Sequence, residues 1–350
     1  MPGTEDRRGN RKPLAAGRRD MTAASSEEPG DGASLAEPSV SGTVMVIGAG
    51  GLVGRATCGL LARTRHRVVG LDRVSTVITG PQPDVTVTGG DVLDLSSLLR
   101  RFAEWDVRTV VHAAAISHPT VSIELPLATV QANCVGTATV LEACRIAGVR
   151  RLVFLSSECV YGNQPDTRLD EDAALRPRTP YAASKVFGES LARAYEDLWG
   201  IQQVSLRLTH IYGPGNAMPD GVTTMLRQAL CAGEIKVRHG AQNNQLLHVD
   251  DAARAIQLVV DQARCASGVY NIGPGERTSN EDLARCIAEV TGCAVRVLDT
   301  TIAPELDQLG VIACDRAQHE FGFRSEVCLD AGLSEFASWL RNAGRESEGW

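Results

Sequence analysis

Three short stretches of the chain combine residue types that could do chemistry. FLSSECVYG, residues 154–162, closes an apolar run with the hydroxyls of Ser156 and Ser157, then delivers a carboxylate at Glu158 and a thiol at Cys159. TPYAASK, residues 179–185, sets Tyr181 and Lys185 four apart, hence on one face of a helix. VMVIGAGGLVG, residues 44–54, carries Gly48, Gly51 and Gly54 between an apolar run and a helical pattern. A phenol with an ordinary pKa of about 10 is a poor base at neutral pH, but nearby positive charge favours the phenolate. Lys185 would supply part of that charge, and a hydroxyl such as Ser157 would hold a substrate oxygen while Tyr181 removes its proton. Each stretch also has a plain reading. Strand ends collect Ser and Gly to make turns, Tyr/Lys pairs are common on amphipathic helices, and glycines make tight turns that bind nothing.

The glycines gain meaning from the residues after them. At a strand-to-helix junction they let backbone N–H groups approach a pyrophosphate, whose charge the helix N-terminus stabilises. The spacing is G-x-x-G-x-x-G; the commoner G-x-G-x-x-G would need glycine where Val53 stands. The next apolar run, RVVGLD, ends at Asp72, where a carboxylate can accept hydrogen bonds from an adenosine ribose. The same charge repels a 2′-phosphate, so NAD is expected ahead of NADP. Arg73 follows and could stack on adenine or meet a phosphate, which keeps NADP as the alternative.

Behind these residues lies a repeated pattern. VMVI, RVVGLD, VTV (85–87), TVVH (109–112) and RLVFLS (151–156) are short apolar runs separated by helical stretches, which implies βαβ units and a parallel sheet. Long helices are expected over 128–148 and 181–200, each ending in glycine, and a strand over 202–208. Shorter helices are expected near 223–232, 250–262, 279–291 and 331–341. The fold class is therefore α/β, a doubly wound parallel sheet with a smaller C-terminal lobe. Residues 1–42, poor in branched apolar side chains, read as a disordered tail. Residues 43–208 read as the cofactor-binding core, 209–341 as mainly a substrate lobe with some elements returning to the core, and 342–350 as a tail. Met21 follows the basic stretch that ends at Asp20 and offers a second start; a nucleic-acid-binding arm is the rival reading of that stretch.

Composition narrows the partners. A net charge of −7 without a basic stripe argues against nucleic acid and for a small-molecule substrate. Ten cysteines without Cys-x-x-Cys or zinc spacing imply reduced thiols and no metal. No apolar stretch is long enough for a bilayer and no secretory signal is visible, so a cytoplasmic location is expected.

Taken in order, the glycine run, Asp72, GDVLD (90–94), VVHAAA (110–115), Asn133 with Gly136-Thr137, SS-x-x-VYG, YAASK, LR…YGPG and HVDD resemble the extended short-chain dehydrogenases/reductases of the NAD-dependent epimerase/dehydratase family. The resemblance covers about residues 43–341 and implies a Rossmann-type core. It implies Ser157, Tyr181 and Lys185 as catalytic residues. It implies a cofactor site of Gly48, Gly51, Leu52, Val53, Gly54, Asp72, Arg73, Asp91, Val92, Ala113, Ala114 and Lys185, and a homodimer through the helices at 128–148 and 181–200. Glu158, Cys159, Asn133, His210 and Asn244 are the candidate substrate contacts. Asn133 has the alternative of bridging backbone groups. His112 reads as a packed core histidine, and His248 with Asp250 and Asp251 as a strand end entering a helix N-cap.

Departures from the family pattern bear on the reaction. Dehydratases of this type resemble Asp-Glu after the catalytic hydroxyl; here only Glu158 is a carboxylate. A Cys matching Cys159 works in double epimerases with a Lys or His at a position that is Pro219 here. The Arg that usually precedes HVDD is Asn244, and His210 replaces a usual Asn. Lys236, Arg238, His210 and Arg277 are the other cations available to a substrate anion. The expectation is an NAD-dependent sugar epimerase, with a nucleotide-sugar substrate favoured, acting at one carbon through a transient ketone. The alternatives are a dehydrogenase, ketoreductase or dehydratase on a related sugar or polyol and, from another class, a nucleotide-sensing scaffold. Intact Ser157, Tyr181 and Lys185 argue against the last.

Overall fold

Runs such as TVMVI and RLVFLSS are buried at every position, so a strand built from them must be covered on both faces. The computed structural model describes residues 42–78, 85–263, 265–302 and 307–346. All but the last residue of the tail expected over 1–42 lies outside these, and so do the last four residues of the tail expected over 342–350. The first half runs β1 (Thr43–Ile47), α1 (Leu52–Leu61), β2 (Arg67–Asp72), β3 (Thr76–Ile78), β4 (Val85–Gly89), α2 (Leu95–Glu104), β5 (Val107–His112), α3 (Pro119–Glu124), α4 (Pro126–Thr129), α5 (Gly136–Ala147), β6 (Arg151–Ser157), α6 (Pro180–Trp199) and β7 (Gln202–Leu208). The second half runs β8 (His210–Tyr212), α7 (Gly221–Ala232), β9 (Glu234–Val237), β10 (Asn243–Asn244), β11 (Leu246–His248), α8 (Val249–Asp261), β12 (Gly268–Ile272), β13 (Thr278–Ser279), α9 (Asn280–Thr291), β14 (Ala294–Val297), α10 (Asp315–Phe321) and α11 (Leu329–Glu346).

Seven strands lie parallel in the order β12-β7-β6-β5-β1-β2-β4, and β3 adds antiparallel to β4 at the edge. Alternation along each strand divides the core. Val44 and Val46 join Val111, Val153 and Leu206 on one face, with α1 and α8 residues such as Cys58 and Ile256. Met45 and Ile47 join Val110, Leu152 and Phe154 on the other, with Leu98, Leu141 and Ala192 of α2, α5 and α6. Tyr212, Leu226, Ile235, Leu283 and Phe336 pack a separate core in the C-terminal lobe. β12, α8 and α10 return to the main sheet, and α11 continues to Glu346, beyond the boundary at 341 read from the sequence. Among the described residues no helix is long and apolar enough to cross a membrane.

One expected helix is interrupted. The pattern over 128–148 reads as continuous, yet the chain forms α4, a wide π turn over Val130–Val135, and then α5. The wide turn carries Asn133 inward, where its carboxamide accepts from Ile116 N at 2.8 Å and donates to Ile116 O at 3.1 Å and Ser184 Oγ at 3.0 Å. Such bulges are a frequent device for re-aiming a residue near a site. Asn133 thereby ties the loop after β5 to α6, and its polar atoms are spent on the protein.

Helix α6 is bounded by local chemistry: Thr179 caps it through Ala182 N at 3.1 Å, Pro180 occupies its first turn, and Gly200 ends it with a left-handed residue. Its seat on the sheet is ionic. Arg207 of β7 meets Glu189 of α6 through two hydrogen bonds of 2.8 and 2.9 Å, both side chains almost wholly buried. Ser156 donates to the same carboxylate at 2.5 Å, and Arg207 donates to Tyr161 Oη at 2.9 Å, which in turn donates to Asn271 of β12 at 2.7 Å. Removing one partner of such a pair strands a buried charge, which typically costs about 3–5 kcal/mol. Glu189→Ala is therefore expected to lower the unfolding free energy by about that amount in a urea titration; a change below about 1 kcal/mol would mean that α6 is held by packing alone.

Candidate active site

The chain runs from β1 outward to β2 and β4, then returns to build β5, β6 and β7 on the other side of β1. The carboxyl ends of β1 and β5 thus form the switch point at which doubly wound sheets bind ligands. Gly48 leaves β1 with φ of +89°, and a Cβ there would stand 2.6 Å from Ala114 N, so only glycine lets the turn lie against the segment after β5. A Cβ on Gly54 would collide with the Gly48 carbonyl oxygen. No side chain caps the first turn of α1, so its N–H groups face outward beside exposed Gly50 and Gly51. Asp72 closes the turn from β2, accepting from Gly50 N at 2.9 Å and Arg73 N at 2.7 Å. Leu52 and Val53 begin α1, and Ala113, Ala114 and Val92 are half-buried. Arg73 and Asp91 are exposed, the latter accepting from Leu93 N at 2.9 Å. A turn free of side chains, an open helix N-terminus and a carboxylate at the tip of β2 fit a dinucleotide.

The second half of the site is made of side chains. Ser157 ends β6, where its hydroxyl accepts from Cys159 N at 3.2 Å and lies near enough to Tyr181 to pull the phenol's pKa down. Lys185, one turn along α6, donates to Leu155 O at 2.7 Å and lies 5.5 Å from the Tyr181 ring centre. Burial lowers the Lys185 ammonium to about 8, against the charges of Glu189 and Cys159. The lowering of Tyr181 expected from Lys185 does not prevail: burial pushes the phenol up, the Cys159 and Glu158 charges add to it, and the nearby Ser157 hydroxyl opposes them. The protein's own groups therefore keep Tyr181 protonated, and its use as a base calls for further positive charge at the site. His112 is buried, in hydrogen-bond contact with Thr137 Oγ1 at 3.0 Å, and burial with the Lys185 charge lowers it to about 3, as a neutral core histidine.

Glu158 and Cys159 open the short 3₁₀ turn after Ser157. Burial pushes the Cys159 thiol up to about 12, with the Glu158 charge adding to it. Burial also lifts Glu158 to about 7 against the pull of His210. His210 in β8 is held above its ordinary value because Asp220, with Nε2 to Oδ2 at 3.5 Å, outweighs burial. Asp220 lies outside the sequence-read candidates; its only local signal is the Asp-Gly start of α7, where it caps Thr223 N at 2.8 Å. Asn244 uses its amide on Asn280 Oδ1 at 2.9 Å. Arg277 contacts the carbonyls of Pro165 and Leu309, and Lys236 and Arg238 are exposed.

Residues 44–273 match the model of the NAD dependent epimerase/dehydratase family. The dTDP-glucose 4,6-dehydratase of Streptomyces antibioticus is 31% identical, over 85% of this chain and 92% of its own. The UDP-glucose 4-epimerase of Mycolicibacterium smegmatis is 30% identical, over 85% and 98%. Among solved structures, the UDP-glucose 4-epimerase of Thermus thermophilus in complex with NAD superposes with a TM-score of 0.77 at 28% identity, covering 86% of this chain and 99% of its own. Gly54→Ala is expected to abolish NAD binding in calorimetry while the thermal melt stays cooperative, because the added methyl displaces the Gly48 carbonyl at the base of the turn; NAD affinity within twofold of the native protein would place the dinucleotide elsewhere.

Proposed function

The chain belongs to the NAD-dependent epimerase/dehydratase family, and from that premise we propose that it is an NAD-dependent sugar epimerase, acting on a nucleotide sugar at one carbinol carbon through a transient ketone. NAD, when bound, would supply the acceptor and donor for the hydride and would bring positive charge to the site. Tyr181 takes the hydroxyl proton, Ser157 holds the oxygen, which stays on its carbon as hydroxyl and ketone alternate, and Lys185 would bind cofactor ribose while its charge favours the phenolate. Gly48, Gly51, Gly54 and Asp72 hold the dinucleotide.

The observation that carries this reading over dehydration is the state of Cys159. Eliminating water from the neighbouring carbon needs both an acid for the departing hydroxyl and a base for the proton next to the ketone; Glu158 can serve as only one of these, and Cys159, lifted to about 12, is a protonated thiol at neutral pH. Confinement to one carbon needs only Ser157, Tyr181 and Lys185, all of which lie together. A homodimer is proposed for the same molecule. Helices α3, α4 and α5 pack beside α6, and Ile123, Leu125, Leu127, Val135 and Phe187 on this side are exposed, an apolar patch that a second copy would cover.

Incubation with a panel of nucleotide sugars in D2O tests the reaction. An inverted hydroxyl is expected, with neither NADH accumulation nor deuterium on carbon; accumulating NADH would make the protein a dehydrogenase, and carbon-bound deuterium would make it act at a second carbon. Tyr181→Phe is expected to cut turnover by about 10² to 10⁴ with NAD affinity retained, whereas Cys159→Ala should cost only a few-fold, about the loss of one packing contact. Sedimentation at micromolar concentration is expected to give a dimer, and a monomer would overturn that part.

A further inference from the structure

His248 ends β11 and caps α8, whose first turn carries Asp250 and Asp251. The two aspartates have different occupations. Asp251 is buried and spent on the protein, accepting from Ser325 Oγ at 2.8 Å, Glu326 N at 3.0 Å, Val327 N at 3.0 Å and Arg254 Nη2 at 2.8 Å. The Asp250 side chain is 65% exposed and faces His248, with Oδ2 3.9 Å from Nδ1. Glu335 of α11, 57% exposed, reaches the same ring, with Oε2 3.7 Å from Nε2. One ring nitrogen and one oxygen from each of these two carboxylates lie within 4.8 Å of one another.

The ring they share is fixed in place and unsatisfied. The His248 side chain is wholly buried, and its Nε2 has no hydrogen-bond partner. Tyr212 packs edge-on against it with ring centres 5.3 Å apart. Two glycines keep side chains away. A Cβ on Gly332, one turn before Glu335, would collide with the Tyr212 hydroxyl and stand 3.0 Å from His248 Cδ2, and a Cβ on Gly213 would stand 3.0 Å from Nε2 itself. A buried nitrogen without a partner is costly, and two neighbouring carboxylates repel each other. A single cation relieves both.

We infer that His248 Nε2, Asp250 and Glu335 form a binding site for one divalent cation of the first transition row, with water completing its coordination. Imidazole together with carboxylates suits zinc or manganese, whereas magnesium and calcium take oxygen ligands. Ligands of one zinc ion stand about 3.4 Å apart at the tetrahedral angle, so the 3.7 Å gap between Nε2 and Glu335 Oε2 needs little closure. Ligation by Nε2 puts the ring proton on Nδ1, which gives up its long 3.3 Å contact with Asp250 N and turns to the Asp250 carboxylate. A carboxylate commonly orients a ligating histidine in this way. Glu335 comes from the last helix and the other two residues from the β11–α8 junction, so the ion fastens α11 to the strand that pairs with β8. The inference is independent of the reaction proposed at Tyr181.

Manganese is the first probe, because exposed thiols such as Cys231 and Cys328 take up zinc but bind manganese poorly. Chelator-treated protein titrated with MnCl2, the free ion being followed by its EPR signal, is expected to bind one ion per chain. After alkylation of the exposed thiols, ZnCl2 should displace manganese at lower concentration than MgCl2 does, the order that an imidazole ligand imposes. Glu335→Gln and Asp250→Asn alter exposed side chains and spare the packed ring, so their metal-free melts should stay close to the native one while manganese affinity falls about 10- to 100-fold. Saturating MnCl2 should raise the native melting midpoint and leave that of Glu335→Gln unmoved. Absence of saturable binding below about 1 mM overturns the site and leaves His248 as an imidazolium shared by two carboxylates. Unchanged affinity in Glu335→Gln overturns it too, as does magnesium competing as well as zinc, since the ion then rests on carboxylates alone.

Discussion

The buried pair of Arg207 and Glu189 is the constraint on which the site depends. It joins β7, one strand in from the β12 edge of the sheet, to α6, takes Ser156 into the same carboxylate, and passes through Tyr161 to Asn271 on β12. Ser156 precedes Ser157, and Glu189 lies one turn beyond Lys185, so one ionic network sets the distance between the hydroxyl of β6 and the phenol and ammonium of α6. Asn133 braces the same helix from its other side through Ser184. A buried ion pair adds little net stability compared with apolar packing, but breaking it strands a buried charge, which penalises arrangements that separate the partners. Here that geometry is the one that brings Ser157 to Tyr181.

Burial that positions these groups also decides their protonation. Tyr181 and Cys159 are pushed up and Lys185 is pulled down, all by desolvation first. The resting pocket therefore favours neutral forms of its acids. Under the proposed function this has a use, because Tyr181 would become a base when the cationic cofactor arrives and not before. Glu158 is the exception among the acids, since a lift to about 7 leaves it near the point of ionisation at neutral pH.

The two halves of the site are built from different materials. The dinucleotide half is backbone: Gly48 and Gly54 permit contacts that any side chain would prevent, and Asp72 locks the turn from the next strand. The candidate catalytic half is side chain, drawn from β6 and α6, and the departures from the family pattern fall at Glu158 and Cys159 beside it, at His210 in β8 and at Asn244 in β10.

The local pattern of the sequence determined the parallel sheet, the glycine turn with Asp72, and the Tyr181 and Lys185 pair, because strand burial, helix periodicity and turn chemistry depend on neighbours a few residues apart. The wide turn at Asn133 stayed hidden because its cause, hydrogen bonds to Ile116 and Ser184, lies seventeen and fifty-one residues away. The upward push on Tyr181 stayed hidden because spacing reveals a nearby Lys185 but not the desolvation that outweighs it. Asp220 was not among the residues singled out in the sequence; it caps α7 through Thr223 N, and only the tertiary structure set His210 against it. Charge and burial act through space, and what they do to a residue is decided by whatever the fold brings to its side.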